Sequence, residues 1–319
     1  MPSYSGVWNL AAVYQAVGAG NWPPFPTAFV AGGYSGATSN VNNISSINIT
    51  TVGNASDFGD LTLALYNSAA TSSSTRGIVA CGVSSLELNV IQYITMSTAG
   101  NALDFGDTTI GAYYSAGTSN GTKGLIALGQ TTAVTNIIEQ ITIASTGNST
   151  DFGDLTVARN GSSSVNSPTR SLFIGGENSS GVKTNIIDYV TTASMGNATD
   201  FGDALQVTTY QSGGCSSTTR GVYHAGTNSI IVNVMEYITM ASTGNATDFG
   251  DLSQTRTWVC ATSSTIRGLF MGGTINNTTT SVNTIDYITI ATAGNAADFG
   301  DLDVPLQRQA AFSNAHGGL

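Results

Sequence analysis

The hydrophobic and polar positions of this chain alternate in short runs that are separated by Gly, Asn and Ser. One type of run is apolar and ends in glycine, with copies at residues 28–33, 78–82, 125–129, 172–176, 222–226 and 269–273. A second type alternates apolar with polar residues, with copies at 89–96, 185–192, 233–240 and 283–290 and looser ones at 43–50 and 136–143. Such β-branched and aromatic runs predict strands. No window of twelve residues has a convincing helical period, so the pattern predicts an all-β fold.

An eight-residue motif recurs between these runs. Gly-Asn-x-x-Asp-Phe-Gly-Asp occupies residues 53–60 and returns at 100–107, 147–154, 196–203, 244–251 and 294–301. The copies are 47–50 residues apart, and a third predicted strand follows each of them. Leucine-rich repeats have about 20–29 residues, WD40 repeats about 40–45 and kelch repeats about 50. Six repeats of three or four short strands favour a six-bladed β-propeller over a solenoid.

The repeats fill residues 25–319, which we predict to form one domain, with residues 1–24 as an N-terminal strand and connection that closes the ring. A propeller avoids exposed edges only if its first and last blades close on each other. Residues 8–14 and the C-terminal residues 302–309 both resemble the strand that follows the motif. We expect the N-terminal strand to complete the first blade, because it connects to that blade directly. The C-terminal segment would then lie against the seam or reach another subunit, which allows a homo-oligomer.

Each motif contributes one phenylalanine and two aspartates. An aromatic side chain buries a large area, so the phenylalanines are predicted to be wedges between blades. They are Phe58, Phe105, Phe152, Phe201, Phe249 and Phe299. The glycine after each phenylalanine predicts a turn, in which the aspartate side chains would accept backbone N–H groups. The first aspartates of the six copies are Asp57, Asp104, Asp151, Asp200, Asp248 and Asp298.

Calcium binding is the alternative interpretation of the motif, because carboxylate oxygens are calcium ligands. The six motifs hold twelve of the 19 acidic residues. Each motif offers only two carboxylates, and six identical turns would imply six sites. A binding surface in a repeat protein is also more often marked by the copies that differ. We therefore expect a structural role for the motif, with no metal and no cofactor.

Basic residues are equally periodic. Five of the nine stand six residues before the second glycine position of the apolar run. They are Arg76, Lys123, Arg170, Arg220 and Arg267. The preferred interpretation is an ion pair or hydrogen bond to a motif aspartate. The alternative is a ring of cations at one mouth of the channel that attracts an acidic ligand.

Composition excludes several classes of function. Only 9% of the 319 residues are charged, against about 25% in an average soluble domain. Nine basic residues and a net charge of −10 provide no footprint for nucleic acid. No apolar run approaches a membrane span, and the first residues do not resemble a secretory signal, so membrane insertion is not expected. Three distant cysteines and two histidines in unrelated contexts form no metal or catalytic pattern, so the chain is not expected to be an enzyme.

The repeats resemble kelch repeats. The likeness rests on the glycine pair after an apolar run, as at Gly32 and Gly33, on the run Asn-x-Ile-Asp-Tyr-Ile, and on a strand that ends near Arg159. It covers residues 25–319 and implies a kelch-like propeller. The sequence departs from kelch in two respects, since phenylalanine stands in place of the kelch tryptophan and three copies lack the full glycine pair.

Runs such as residues 237–252 are similar to repeats in predicted virion structural proteins of marine tailed phages, notably cyanophages. The resemblance covers all six repeats. It implies a tail fibre, tail appendage or capsid decoration with other virion proteins as partners and a role in host adhesion. The alternative is a lectin-like propeller that binds glycans between blades. The unequal placement of Trp8, Trp22 and Trp258 counts against it, because equivalent sites need equivalent aromatic residues.

Overall fold

The computed structural model describes residues 25–36, 39–208, 213–228, 230–275 and 280–319. These residues form β-strands and no helix. Six antiparallel four-stranded sheets are arranged as the six blades of a propeller, which confirms the predicted fold. Two small hairpins join Tyr34–Ser35 to Ser39–Asn40 and Thr227–Asn228 to Ile230–Ile231.

The four strands of each blade are ordered in space from the innermost, which lies at the channel, to the outermost. In blade 1 the innermost strand is the last strand of the chain. Blade 1 consists of Ala310–Ser313, Thr27–Ala31, Asn43–Asn48 and Ser56–Asp60, and blade 2 of Ala69–Ser72, Arg76–Ala80, Leu88–Thr95 and Leu103–Ala112. Blade 3 consists of Ala116–Ser119, Lys123–Ala127, Ile137–Thr142 and Thr150–Asp154, and blade 4 of Ser163–Asn166, Arg170–Ile174, Thr184–Thr191 and Thr199–Thr208. Blade 5 consists of Gly214–Ser216, Arg220–His224, Val234–Thr239 and Thr247–Asp251, and blade 6 of Cys260–Ser263, Arg267–Met271, Val282–Thr289 and Ala297–Leu306.

The innermost strands surround a central channel, and each contacts the innermost strands of the two neighbouring blades, so the ring is closed. The second strand of every blade is buried at four consecutive positions. Because both faces of this strand pack against neighbouring blades, its residues form a continuous apolar run in the sequence.

The ring is closed by the C-terminal strand. Ala310–Ser313 pairs antiparallel with Thr27–Ala31, and the rings of Phe312 and Phe29 stack at a centroid distance of 5.4 Å. Asn314 extends this pairing by accepting the N–H of Thr27 on its Oδ1 atom at 2.8 Å. The expectation that the N-terminal strand fills this position is therefore wrong. Residues 8–14 lie outside the described residues, and the boundary after residue 24 stays a prediction.

The hydrophobic core is divided into six clusters, one at each joint between neighbouring blades. At the joint of blades 6 and 1, for example, Leu269 and Ile285 pack with Ala28 and Val30. The stability of the ring therefore depends on blade-to-blade contacts, because one sheet alone cannot bury both of its faces.

Candidate functional site

The motif phenylalanines lie at these joints. Five are buried, and Phe58 is half-buried. Phe105 of blade 2 packs with Ile126 and Ile141 of blade 3. In blades 2, 4, 5 and 6 the ring also meets a tyrosine of its own blade edge-on, at centroid distances of 5.8–6.1 Å. Each aromatic ring therefore belongs to the packing between two sheets.

The Asp-Phe-Gly-Asp segment is a bulged outermost strand, so the predicted turn is wrong. In blade 1 the pairing passes from Ile44–Gly59 to Ser45–Asp57, which leaves Phe58 as the extra residue of a β-bulge. The same register shift occurs in the other five blades. The first aspartate of every copy is exposed.

The motif hydrogen-bonds each blade to the next. Gly100 N–H donates to the carbonyl of Phe58 at 2.9 Å, Ala102 N–H donates to the carbonyl of Asp60 at 2.7 Å, and the Oδ1 atom of Asn101 accepts the N–H of Asp60 at 3.1 Å. Equivalent bonds occur at the other five joints. We call this set of three hydrogen bonds the motif clasp.

The clasp explains why the motif contains a glycine after the phenylalanine. A Cβ atom on Gly59 would lie 2.4 Å from the carbonyl oxygen of Gly100 in the next blade, and the φ of +155° is also one that other residues rarely adopt. The equivalent glycines of the other copies face the same close approach of backbone.

The periodic basic residues also lie between blades, and their partners are not aspartates. Arg76 of blade 2 lies over the ring of Tyr93 at 4.4 Å and donates to the carbonyl of Ile143 in blade 3 at 2.9 Å. Arg170, Arg220 and Arg267 make the same two contacts at their joints. Lys123 lies 5.4 Å from the ring of Phe152. The preferred ion pair or hydrogen bond with a motif aspartate is thus wrong. The arginines donate to backbone carbonyls, and the described residues form only two salt bridges, neither of which involves the motif.

Those two salt bridges were not predicted by the sequence analysis. Arg159 pairs with Asp188 at 2.9 Å and Arg256 with Asp286 at 2.8 Å, and all four side chains are fully buried. Asp188 and Asp286 occupy one position of the third strand, where the other blades have Ser45, Gln92, Glu139 and Glu236. Every blade thus buries one polar side chain at the bulge.

This buried polar residue bonds to the preceding blade. Gln92 accepts the N–H and the hydroxyl of Thr62, both at 2.6 Å, and Asp286 accepts the same groups of Ser253. At the seam the roles are exchanged, because Ser45 donates to Asp303 at 2.6 Å. The burial of unpaired polar groups is costly, so these bonds fix the alignment of neighbouring blades.

The central channel is narrow and is covered at one end by the C-terminus. Its cavity measures about 110 Å³ and is lined mostly by Ser, Thr, Ala and Gly. The buried His316 hydrogen-bonds Ser72 O and Ser119 Oγ, both at 3.1 Å, through Nε2, and its Nδ1 atom accepts the N–H of Gly318 at 3.1 Å. A Cβ on Gly318 would lie 2.1 Å from the carbonyl of Ser119. Residues 315–319, which we call the plug, therefore lie across this mouth, and burial lowers the pKa of His316 to about 4.

The opposite mouth is surrounded by residues with left-handed backbone. Asn67, Tyr114, Gly161, Trp258 and Arg308 occupy equivalent positions with φ of +52° to +65°. They form an arc of hydrogen bonds in which Tyr114 N–H donates to Asn67 O and Asn67 N–H to Arg308 O, each at 3.0 Å. This conformation suits glycine and costs other residues about 1–2 kcal/mol. Three bulky side chains are nevertheless held there.

The side chains at this mouth form an aromatic and cationic cluster. Tyr114 stacks on Trp258 at a centroid distance of 5.6 Å, and Arg308 lies 4.1 Å over Trp258 and 5.8 Å over Tyr66. Beside the cluster is a pocket of about 240 Å³. We call it the mouth pocket, and its lining residues are Tyr66, Asn67, Val83, Ser85, Leu86, Glu87, Tyr113, Tyr114 and Arg308.

Groups typical of catalysis or metal binding do not converge in the described part of the chain. It contains no cluster of three or more His, Cys, Asp or Glu residues placed to hold a metal ion. Cys81, Cys215 and Cys260 are buried and free, and burial raises the pKa of the Cys81 and Cys260 thiols to about 12. Burial lowers the pKa of His224 to about 4. None of the described segments is a helix long and apolar enough to cross a membrane.

Comparison of the sequence with protein families and with curated proteins gives no relative. No protein-family model matches the chain, and no curated protein matches it significantly.

Proposed function

We propose that this chain is a non-enzymatic structural protein of a virus particle, where the propeller forms part of a tail fibre, tail appendage or capsid decoration and contributes to host adhesion. Its partners are other virion proteins. The likeness of its repeats to kelch repeats and to virion repeats of tailed phages is part of this proposal.

The supporting observation is that the repeated polar and aromatic residues are used to join blades. The clasp at all six joints, the basic residues over tyrosines and the buried polar residue of each blade all connect neighbouring sheets. A ring held in this way is a rigid support for its loops. The described residues form only two ion pairs and both are buried, so screening by salt weakens few of the contacts that hold the ring. Rigidity and salt resistance are properties that a particle exposed to seawater requires.

Purified particles test this proposal. Antibodies against the purified chain should label particles of the encoding virus at a fixed position in electron micrographs, and mass spectrometry of gradient-purified particles should detect the chain in a constant ratio to the major capsid protein. A chain that stays in the soluble fraction of the lysate and is absent from washed particles would contradict the virion role.

A lectin-like propeller is the second candidate, and the mouth pocket is the observation that favours it. Tyr114 and Arg308 line this pocket and contact the ring of Trp258 beside it. The three residues occupy equivalent positions, so one aromatic and cationic site is assembled from different residues. The unequal placement of the tryptophans counts only against six equivalent sites and not against this single one.

A further inference from the structure

We propose that the mouth pocket binds one ring of a neutral saccharide. The inference rests on the adhesion role proposed above and assigns to it a site and a ligand class. The repeats are nearly uniform at the joints but differ at this mouth, where the equivalent left-handed positions hold Asn67, Tyr114, Gly161, Trp258 and Arg308. Side chains that depart from the repeat and occupy an unfavourable backbone conformation indicate a functional site.

Polar side chains supply the hydrogen-bonding part of the site. Asn67 is only 1% exposed, lines the pocket, and has no hydrogen-bond partner for its Oδ1 atom. The Nε atom of Arg308 is likewise buried without one. Both atoms are closed to solvent, so a ligand in the open pocket does not reach them in this arrangement of side chains. The exposed residues Ser85 and Glu87 line the same pocket and offer a hydroxyl and a carboxylate, which suit the hydroxyl groups of a ligand because a hydroxyl can donate and accept.

Aromatic side chains supply the apolar part of the site. Tyr66, Tyr113 and Tyr114 line the pocket and are half-buried, and Leu86 on the outer loop is 71% exposed. Tyrosine presents a flat apolar face and a polar hydroxyl. A pyranose ring has the complementary surface, with C–H groups on its faces and hydroxyls around its edge.

Charge and size select among saccharides. Glu87 and Arg308 line the same pocket with opposite charges, in a chain of net charge −10, so an anionic sugar gains little. A cationic ligand would compete with Arg308, which already lies over Tyr66 and Trp258. The volume of about 240 Å³ is below the roughly 300–1,000 Å³ of pockets for drug-sized ligands, so one neutral ring fits best.

The test is a titration of the purified full chain with neutral methyl glycosides of glucose, galactose, mannose and N-acetylglucosamine. Binding is measured by saturation-transfer difference NMR. Concentrations should reach about 50 mM, well above a Kd of about 1 mM. At least one of these sugars should bind saturably. The methyl glycoside of N-acetylneuraminic acid serves as the anionic comparison.

Three variants locate the binding. Tyr113→Ala removes one wall, and Glu87→Ala removes an exposed side chain that the fold does not need. Both should weaken binding at least about tenfold. Glu177→Ala is the matched control, because it removes a carboxylate from the corresponding loop of blade 4, which does not line the mouth pocket.

Each outcome decides the inference. Saturable binding that both pocket variants weaken and the control preserves supports it. Binding of no neutral glycoside, binding of the anionic sugar alone, or binding that neither pocket variant changes overturns it. A chain found in particles that binds no sugar would refute only this inference. A sugar-binding chain absent from particles would refute only the virion role.

Discussion

Arg256 lies in the connection from blade 5 to blade 6, and its guanidinium is the most direct point at which to test how that connection is held against blade 6. Its Nη2 atom lies 2.8 Å from Asp286, and both side chains are fully buried. It also donates to three carbonyls of blade 6, those of Gly272 and Thr284 at 2.8 Å and that of Phe270 at 3.1 Å. Arg256→Leu would leave the carboxylate of Asp286 buried with only the two donors of Ser253.

The expected loss of stability is large because a buried charge loses its partner. Removing one member of a buried ion pair costs about 3–5 kcal/mol. With an unfolding entropy of about 2.1 cal/mol/K per residue over 319 residues, this lowers the melting temperature by about 4–7 °C. Differential scanning calorimetry and urea denaturation followed by tryptophan fluorescence measure both quantities.

The joint between blades 1 and 2 supplies the matched control. There Leu65 stands at the position of Arg256 and Gln92 at that of Asp286, and Gln92 accepts two hydrogen bonds from Thr62 at 2.6 Å. The double variant R256L/D286Q copies this pair and should recover most of the lost stability. An R256L variant that loses less than about 1 kcal/mol, the range of exposed pairs, would refute the argument. So would a double variant no more stable than the single one.

The remaining predictions concern the clasp, the buried charges and the seam. Asn101→Ala removes the acceptor of the Asp60 N–H and should cost about 1 kcal/mol in urea denaturation; an unchanged midpoint would contradict the clasp. Burial raises the pKa of Glu236, so stability falls as the pH rises above its unfolded value of 4.5; Glu236→Gln should raise the melting temperature at pH 7 and reduce this dependence. Burial lowers the pKa of His316 to about 4, so the neutral side chain contributes fully to the stability of the plug above pH 6.5, and this contribution is lost as the pH falls from 6.5 to 4. Hydrogen exchange of the plug should accelerate over that interval, and an exchange rate independent of pH after correction for the intrinsic rate would argue against this role of His316. Deleting residues 310–319 removes the closing strand and should abolish the cooperative thermal transition, whereas a deletion that still melted like the full chain would show another strand at the seam.

The structural role and the sugar binding proposed above depend on different parts of the molecule, the joints between blades and the mouth pocket. The joints repeat the same residues at every blade, so a substitution there is expected to change stability without changing ligand preference. The mouth carries different residues at equivalent positions, so substitutions of Tyr113 or Glu87 are expected to change binding with little effect on the ring.

The sequence by itself determined the all-β fold and the number of blades, because both follow from local signals. Strand periodicity is a property of a few neighbouring residues, and six copies of one motif require six equivalent units. The mouth positions also leave a trace in the sequence. Asn67, Tyr114, Trp258 and Arg308 each stand seven residues after the last aspartate of a motif, and a comparison of the repeats at that offset would have shown that they differ.

Only the tertiary structure decided which groups meet. The clasp joins Asn101 to Asp60, 41 residues away, and Arg76 reaches the carbonyl of Ile143, 67 residues away. Both pairs depend on the register between neighbouring sheets, which no local pattern encodes. The seam was misjudged for the same reason. Two terminal segments have similar strand patterns, and the choice between them depends on contacts such as Phe29 with Phe312, which exist only once the ring has closed.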